Sequence, residues 1–265
     1  ENLPYFLLNS DLVIAVEANK KSCDIIKEKF TNQINQKKLI VENCIVGEKD
    51  GKNEIFFLHK YDYLLSQLPE PEINLKKNFE TIKLEKKDIL SLIKKYGAPY
   101  YIKIDLEKYD DIILKRIFDL NIIPTYISAE AINQNVIDLF FNNKNYRSFK
   151  ISEGKNIDFL YKKIRLSINN SKVIFSFPKN SSGPFGNDIL GKWMNKRNYI
   201  KFMDHKKEGW RDIHASFVDQ PENIDNVNKY IDFDQKLEKK AKFIKRLIRF
   251  KSKLGWLLGF RKTTY

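Results

Sequence analysis

Ala98-Pro99-Tyr100-Tyr101-Ile102-Lys103-Ile104-Asp105-Leu106-Glu107-Lys108-Tyr109-Asp110 is the stretch whose reading decides the fold. Residues 100–104 are short, aromatic and β-branched, with Gly97-Ala98-Pro99 before them and acids after them, which predicts a buried central strand. Two carboxylates, Asp105 and Glu107, leave the end of that strand. A segment with helical spacing (Ile112, Ile113, Ile117, Leu120) follows. In open α/β sheets ligands collect at the carboxyl ends of the strands, so chemistry is expected here. The same residues also read as a helix cap at Asp105 and a solvated acid at Glu107, and the stretch alone does not separate the two.

On the N-terminal side, residues 3–8 suit a helix and residues 12–16 form an apolar run closed by Glu17, the pattern of a parallel strand covered on both faces. A helix over 22–30 and a strand over 39–46, stopped by Gly47, come next. Residues 54–58 and 81–84 read as short strands on either side of an irregular excursion, and Asp88 is placed to cap a helix over 89–96. On the C-terminal side, strands over 125–130 and 146–151 flank a helix over 135–142. Residues 157–200 break the alternation with a polar loop over 178–188. Residues 210–215 then read as a last, antiparallel edge strand beside 146–151. The whole predicts an α/β fold: a Rossmann-like, doubly wound, mostly parallel sheet with an antiparallel last strand. Four of its strands end in Glu17, Asn43, Asp105 and Glu130.

Composition limits the function. With 42% hydrophobic and 13% aromatic residues in 265, the chain is a folded protein with a sizeable core. No apolar run is long enough to span a bilayer. Cys23 and Cys44 form no CxxC or Cys/His cluster, so buried thiols in a reducing compartment are expected and a metal site is not. The net charge of +14 is uneven: residues 235–265 hold eleven Lys/Arg against Glu238, a net +10, which leaves +4 for the rest. Any partner selected by charge is therefore a partner of the tail. There, Leu237, Ala241, Ile244 and Ile248 share a helical stripe with Phe243, Leu247, Phe250 and Leu254 beside it, and Trp256-Leu257-Leu258 follows. That pattern suits an anionic membrane surface rather than nucleic acid. Docking on the protein's own body is the alternative.

The succession Val13-Ile-Ala-Val-Glu17-Ala-Asn19, Asn43 after a strand, Thr81-Ile-Lys-Leu, and Pro99-Tyr-Tyr-Ile-Lys-Ile-Asp105-Leu-Glu107 resembles the FkbM-type methyltransferases. Pro124-Thr-Tyr-Ile-Ser-Ala-Glu130, Ser182-Gly-Pro-Phe-Gly186 and Trp210-Arg-Asp-Ile-His214-Ala look like one bacterial branch of that family. The likeness covers residues 1–216, with 153–208 as an insertion or lid. Residues 217–234 read as a linker and 235–265 as a basic amphipathic helical tail. Two departures stand out. The family's first strand and its glycine-rich cofactor turn are not in this sequence, so poor cofactor binding is expected. Lys108 also stands where the family has Gly, either closing the pocket or adding its charge.

The resemblance implies a class I, S-adenosylmethionine-dependent O-methyltransferase acting on a hydroxyl of a sugar, glycan or lipid-linked saccharide. It implies cofactor contacts from Glu17 (ribose), Ala18, Asn43 (adenine edge), Cys44, and Asp105 near the transferred methyl. Asp105, Glu107 and His214 are the catalytic candidates, and Glu130, Ser182, Gly183 and Phe185 the substrate-side ones. A carboxylate can accept from both ribose hydroxyls, and a histidine titrates near neutrality, which is what those tasks need. Asp105, Glu130 and His214 lack any metal-ligand spacing, so no metal is expected. A cytoplasmic protein, peripheral at the inner membrane face, fits this picture. Two competing readings are a non-catalytic membrane-associated module on a degenerate methyltransferase fold, and a nicotinamide-dependent oxidoreductase, since an acidic strand end also suits a nicotinamide ribose.

Overall fold

A computed structural model describes residues 2–131, 133–168, 171–206, 209–222 and 227–257. In chain order these form α1 (Leu3–Asn9), β1 (Val13–Val16), α2 (Lys20–Lys29), α3 (Thr31–Asn35), β2 (Leu39–Glu42), β3 (Ile45–Gly47), β4 (Gly51–His59), β5 (Phe79–Asp88), α4 (Ile89–Tyr96), β6 (Tyr101–Lys103) and α5 (Asp110–Asp119). They continue with β7 (Tyr126–Glu130), α6 (Gln134–Asn142), β8 (Ser148–Glu153), α7 (Ile157–Leu160), β9 (Ile164–Ile168), β10 (Ser171–Phe175), α8 (Lys196–His205), β11 (Arg211–Ser216) and α9 (Asn228–Leu257). The protein is α/β with mixed sheets and, among the described residues, no barrel.

The sheet that positions the candidate site has the order β6-β7-β11-β8. Strand alternation sorts its side chains by chemistry. Ile102, Ile127, Ala129, Ile213, Ala215 and Phe149 point to one face, where they pack on Ile113, Leu114 and Ile117 of α5 and Val136 and Phe140 of α6. Apart from the half-buried Ile102, each of these large side chains is almost wholly buried, worth about 1.5–3 kcal/mol apiece. The opposite face carries Tyr101, Lys103, Ser128, Glu130, Asp212, His214, Lys150 and Ser152.

The mostly parallel sheet expected from the sequence is not what forms. β1–β2, β3–β5 and β6–β7 pair in parallel, whereas β4 and β11 run antiparallel to their partners. The expected edge strand, β11, lies between β7 and β8 and is buried throughout. Conversely, among the described residues, β6 lies at the end of its sheet and β1 pairs only with β2. Every residue of β1 and β6 is half-buried, so neither is the doubly covered, central strand that its apolar sequence predicts. The single strand expected over 39–46 is two, broken at Asn43. Its amide donates to Glu17 O and Ala18 O at 2.9 and 3.0 Å, after which the chain leaves β1 and joins β5.

Residues of the long excursion build a second core against α1. Tyr5 is buried among Phe177, Phe185, Tyr161 and Trp193, and its hydroxyl donates to Asp188 at 2.7 Å. Gly183 is required there: its φ is +86°, and a Cβ would come within 2.6 Å of Ile157.

The basic tail and the linker before it also differ from expectation. α9 begins at Asn228, inside the expected linker 217–234, and its first turns dock on the body. Tyr230 and Ala241 are buried, and Lys206 of the body, its side chain 4% exposed, pairs with Asp234, Glu238 and Glu153. The predicted stripe of Leu237, Ala241 and Ile244 is thus the docked face, with Leu237 and Ile244 half-buried. The side chains of Ile248, Phe250, Leu254, Trp256 and Leu257, and all of residues 258–265, lie outside the described residues. Among those described, no helix is long and apolar enough to cross a membrane.

Candidate functional site

On the polar face, strand register lines up Lys103, Ser128, His214 and Lys150 across all four strands, with Glu130, Asp212 and Ser152 in the adjoining row. Lys103 is the centre of charge. Its ammonium donates to Asp212 Oδ2 at 2.8 Å and lies 3.2 Å from Asp105 Oδ2. Burial opposes its charge, but the two aspartates outweigh burial and hold its pKa above the ordinary lysine value.

Around this pair the carboxyls crowd. Glu107 is pushed up to about 7, first by burial and then by the charges of Asp105 and Asp110. Glu130 also reaches about 7, from burial and then from Glu107 and Asp105. Asp110 is raised to about 6, chiefly by burial. Its two oxygens accept from Leu106 N at 2.7 Å and Glu130 N at 3.2 Å, which ties the turn after β6 to the end of β7. The turn itself is strained: Glu107 and Lys108 have φ of 31° and 65°. Lys108 therefore holds the left-handed conformation that glycine adopts without cost. Its side chain is exposed, and its charge acts on Glu107, lowering that pKa.

A second group forms at the ends of β1 and β2, where Glu17, Ala18, Asn43 and Cys44 come together. Glu17 Oε1 accepts from Asn19 N at 2.7 Å, and burial raises the carboxyl's pKa. Asn43 spends both amide hydrogens on the Glu17-Ala18 backbone, so only its oxygen is left for a ligand. Ala18 and Cys44 are buried. Val16, just before Glu17, and Ile102 and Leu106, before and after Asp105, pack on the same core.

The remaining sequence candidates fall elsewhere. His214 lies in the lysine row, fully covered, with Nε2 3.0 Å from Ser152 Oγ. Burial, then the charges of Lys103 and Lys150, hold its pKa down to about 3, so it stays neutral and bridges strands instead of exchanging protons with solvent. The Ser182-Gly183-Phe185 loop is a wall of the second core. Ser182 O accepts from Ser152 Oγ at 3.1 Å, and Phe185 stacks on Tyr101 at 4.2 Å between ring centroids, at the start of β6 and away from Asp105. Lys103, Asp110 and Asp212, which organise the carboxyls, were not among the sequence candidates. The polar/apolar alternation of Tyr101-Ile102-Lys103 and Asp212-Ile213-His214 was the signal for two of them.

Among the described residues, no group of three or more His, Cys, Asp or Glu is arranged to hold a metal ion. The chain matches no family model, no curated protein and no solved structure.

Proposed function

We propose that the protein is an S-adenosylmethionine-dependent O-methyltransferase acting on a hydroxyl of a sugar, glycan or lipid-linked saccharide. The observation that carries this reading is the set of carboxyls at the ends of β6 and β7, poised near neutrality around Lys103. In this reading the β1–β2 and β6–β7–β11–β8 ribbons belong to a Rossmann-like, doubly wound fold.

The donor set at β1 suits the cofactor. Glu17 offers carboxylate lone pairs to a ribose diol, and the Asn43 oxygen can accept from an adenine amino group. When bound, S-adenosylmethionine supplies a methyl group on a sulfonium, open to in-line displacement by oxygen. Asp105, half-exposed and anchored by Lys103, orients the acceptor hydroxyl. Glu107 takes the hydroxyl proton on a carboxylate oxygen, its pKa matched to that task. Asp110 positions the turn that holds both. The free, buried thiols of Cys23 and Cys44 support a reducing, cytoplasmic setting.

Equilibrium dialysis of the full gene product with radiolabelled S-adenosylmethionine tests the proposal. Binding is expected, with a loss of about tenfold or more on Glu17→Ala. Unchanged affinity in that variant, or retention of a nicotinamide dinucleotide instead, would overturn it.

A further inference from the structure

The docking of α9 leaves one face of the helix turned outward, and that face has a chemistry of its own. Tyr230, Asp234 and Ala241 face the body, and Lys245 donates to Asn156 Oδ1 at 3.0 Å, so the helix is fixed about its axis. On the opposite side Phe243 is 62% exposed and Leu247 44% exposed. Lys236, Lys239, Lys240 and Arg246 fall on the same side at helical spacing, are all exposed, and have no carboxylate partner among the described residues. The helix runs on to Leu257 through a sequence with three more cations, Arg249, Lys251 and Lys253.

An apolar centre set among unpaired cations is complementary to a phospholipid interface. The ring and the leucine enter the acyl boundary, while the ammonium and guanidinium groups meet phosphates. A nucleic acid would use the cations but has no use for Leu247. We infer that the outer face of α9, centred on Phe243 and Leu247, docks the protein on an anionic bilayer surface while its inner face stays on the body. Of the residues the sequence reading set together for a lipid surface, Leu237, Ala241 and Ile244 are covered by the body, and Phe243 and Leu247 are left to face outward. This docking is independent of the proposed methyl transfer.

Vesicle co-sedimentation of the full chain tests it, with phosphatidylglycerol/phosphatidylcholine vesicles against phosphatidylcholine alone. The protein is expected to pellet with the anionic vesicles only. Lys236→Gln/Lys239→Gln/Lys240→Gln should weaken binding about a hundredfold, at roughly fivefold per charge. Phe243→Ser/Leu247→Ser, with every charge kept, should weaken it on the order of tenfold. These side chains are exposed, so unchanged melting curves separate lost binding from lost folding. The inference fails if the apolar double variant binds like the parent, or if duplex DNA displaces the protein from the vesicles. It fails equally if the parent dimerises without lipid and the double variant does not.

Discussion

Glutamine at position 107 keeps the length and shape of the glutamate side chain and removes its charge. In the folded protein the Glu107 carboxyl titrates at about 7, against an ordinary value of 4.5. Carried by this residue alone, that difference corresponds to about 3 kcal/mol. Glu107 and Glu130 share one repulsion and water reaches both, so a single substitution should release about half, roughly 1.5 kcal/mol. The sign follows from linkage. A carboxyl whose pKa is raised by folding favours the folded state in its protonated form. Its contribution is intact below 4.5 and is lost as pH rises through 7. Glutamine imitates the protonated form at every pH. Glu107→Gln should therefore match the parent near pH 5 and exceed it near pH 8, by about 4 °C in Tm for a chain of this size. Thermal unfolding followed by circular dichroism across that range measures it. A variant less stable than the parent at high pH, or one with the same gap at both ends, would refute the crowded-carboxyl picture. In the proposed enzyme the same variant should lose about a hundredfold in rate.

Other consequences can be measured as directly. Lys108→Gly should raise stability in urea by about 0.5–1 kcal/mol, because the left-handed backbone no longer carries a Cβ; a loss would mean that the lysine side chain contributes more than its conformation costs. Phe185→Ala should cost about 3–5 kcal/mol, since the ring is a wall of the second core, whereas a cost under about 1 kcal/mol would return the loop to the status of a lid. Lys206→Met keeps most of the side-chain volume but strands Asp234 and Glu238, and hydrogen exchange should show the amides of α9 opening faster while those of β11 are unchanged.

The α/β character, most element positions and the Asp88 cap were legible because they depend on local spacing and turn chemistry. The centrality of β6 was not, because an apolar strand reads the same whether a neighbour covers it or not. Nor was the break at Asn43, which is made by a side chain reaching across to another strand. At the site, Asp105, Glu107 and Glu130 were readable as acids at strand ends. Lys103, which pairs with Asp105 and Asp212, was hidden inside an apolar-looking strand, and Asp212 was overshadowed by the more conspicuous His214. The tail's apolar stripe was legible, but the choice between a membrane and the protein's own body was not, since periodicity shows that a face is buried and not what buries it.

β11 sits between two antiparallel partners and feeds two chemistries from alternate positions, Ile213 and Ala215 to hydrocarbon and Asp212 and His214 to the charged face. Inserting or deleting one residue between Gly209 and Asp212 would exchange these sets, sending a carboxylate and an imidazole into the core and two alkyl groups against Lys103. Both neighbouring strands hold their own registers, so neither can shift to compensate. Over time this strand can accept matched substitutions but no change in length, whereas the hairpin of β9 and β10 can lengthen or shorten without moving any of these groups. In a set of homologous sequences, the six positions from Arg211 to Ser216 should form a gap-free block, with length variation confined to the excursion that precedes them.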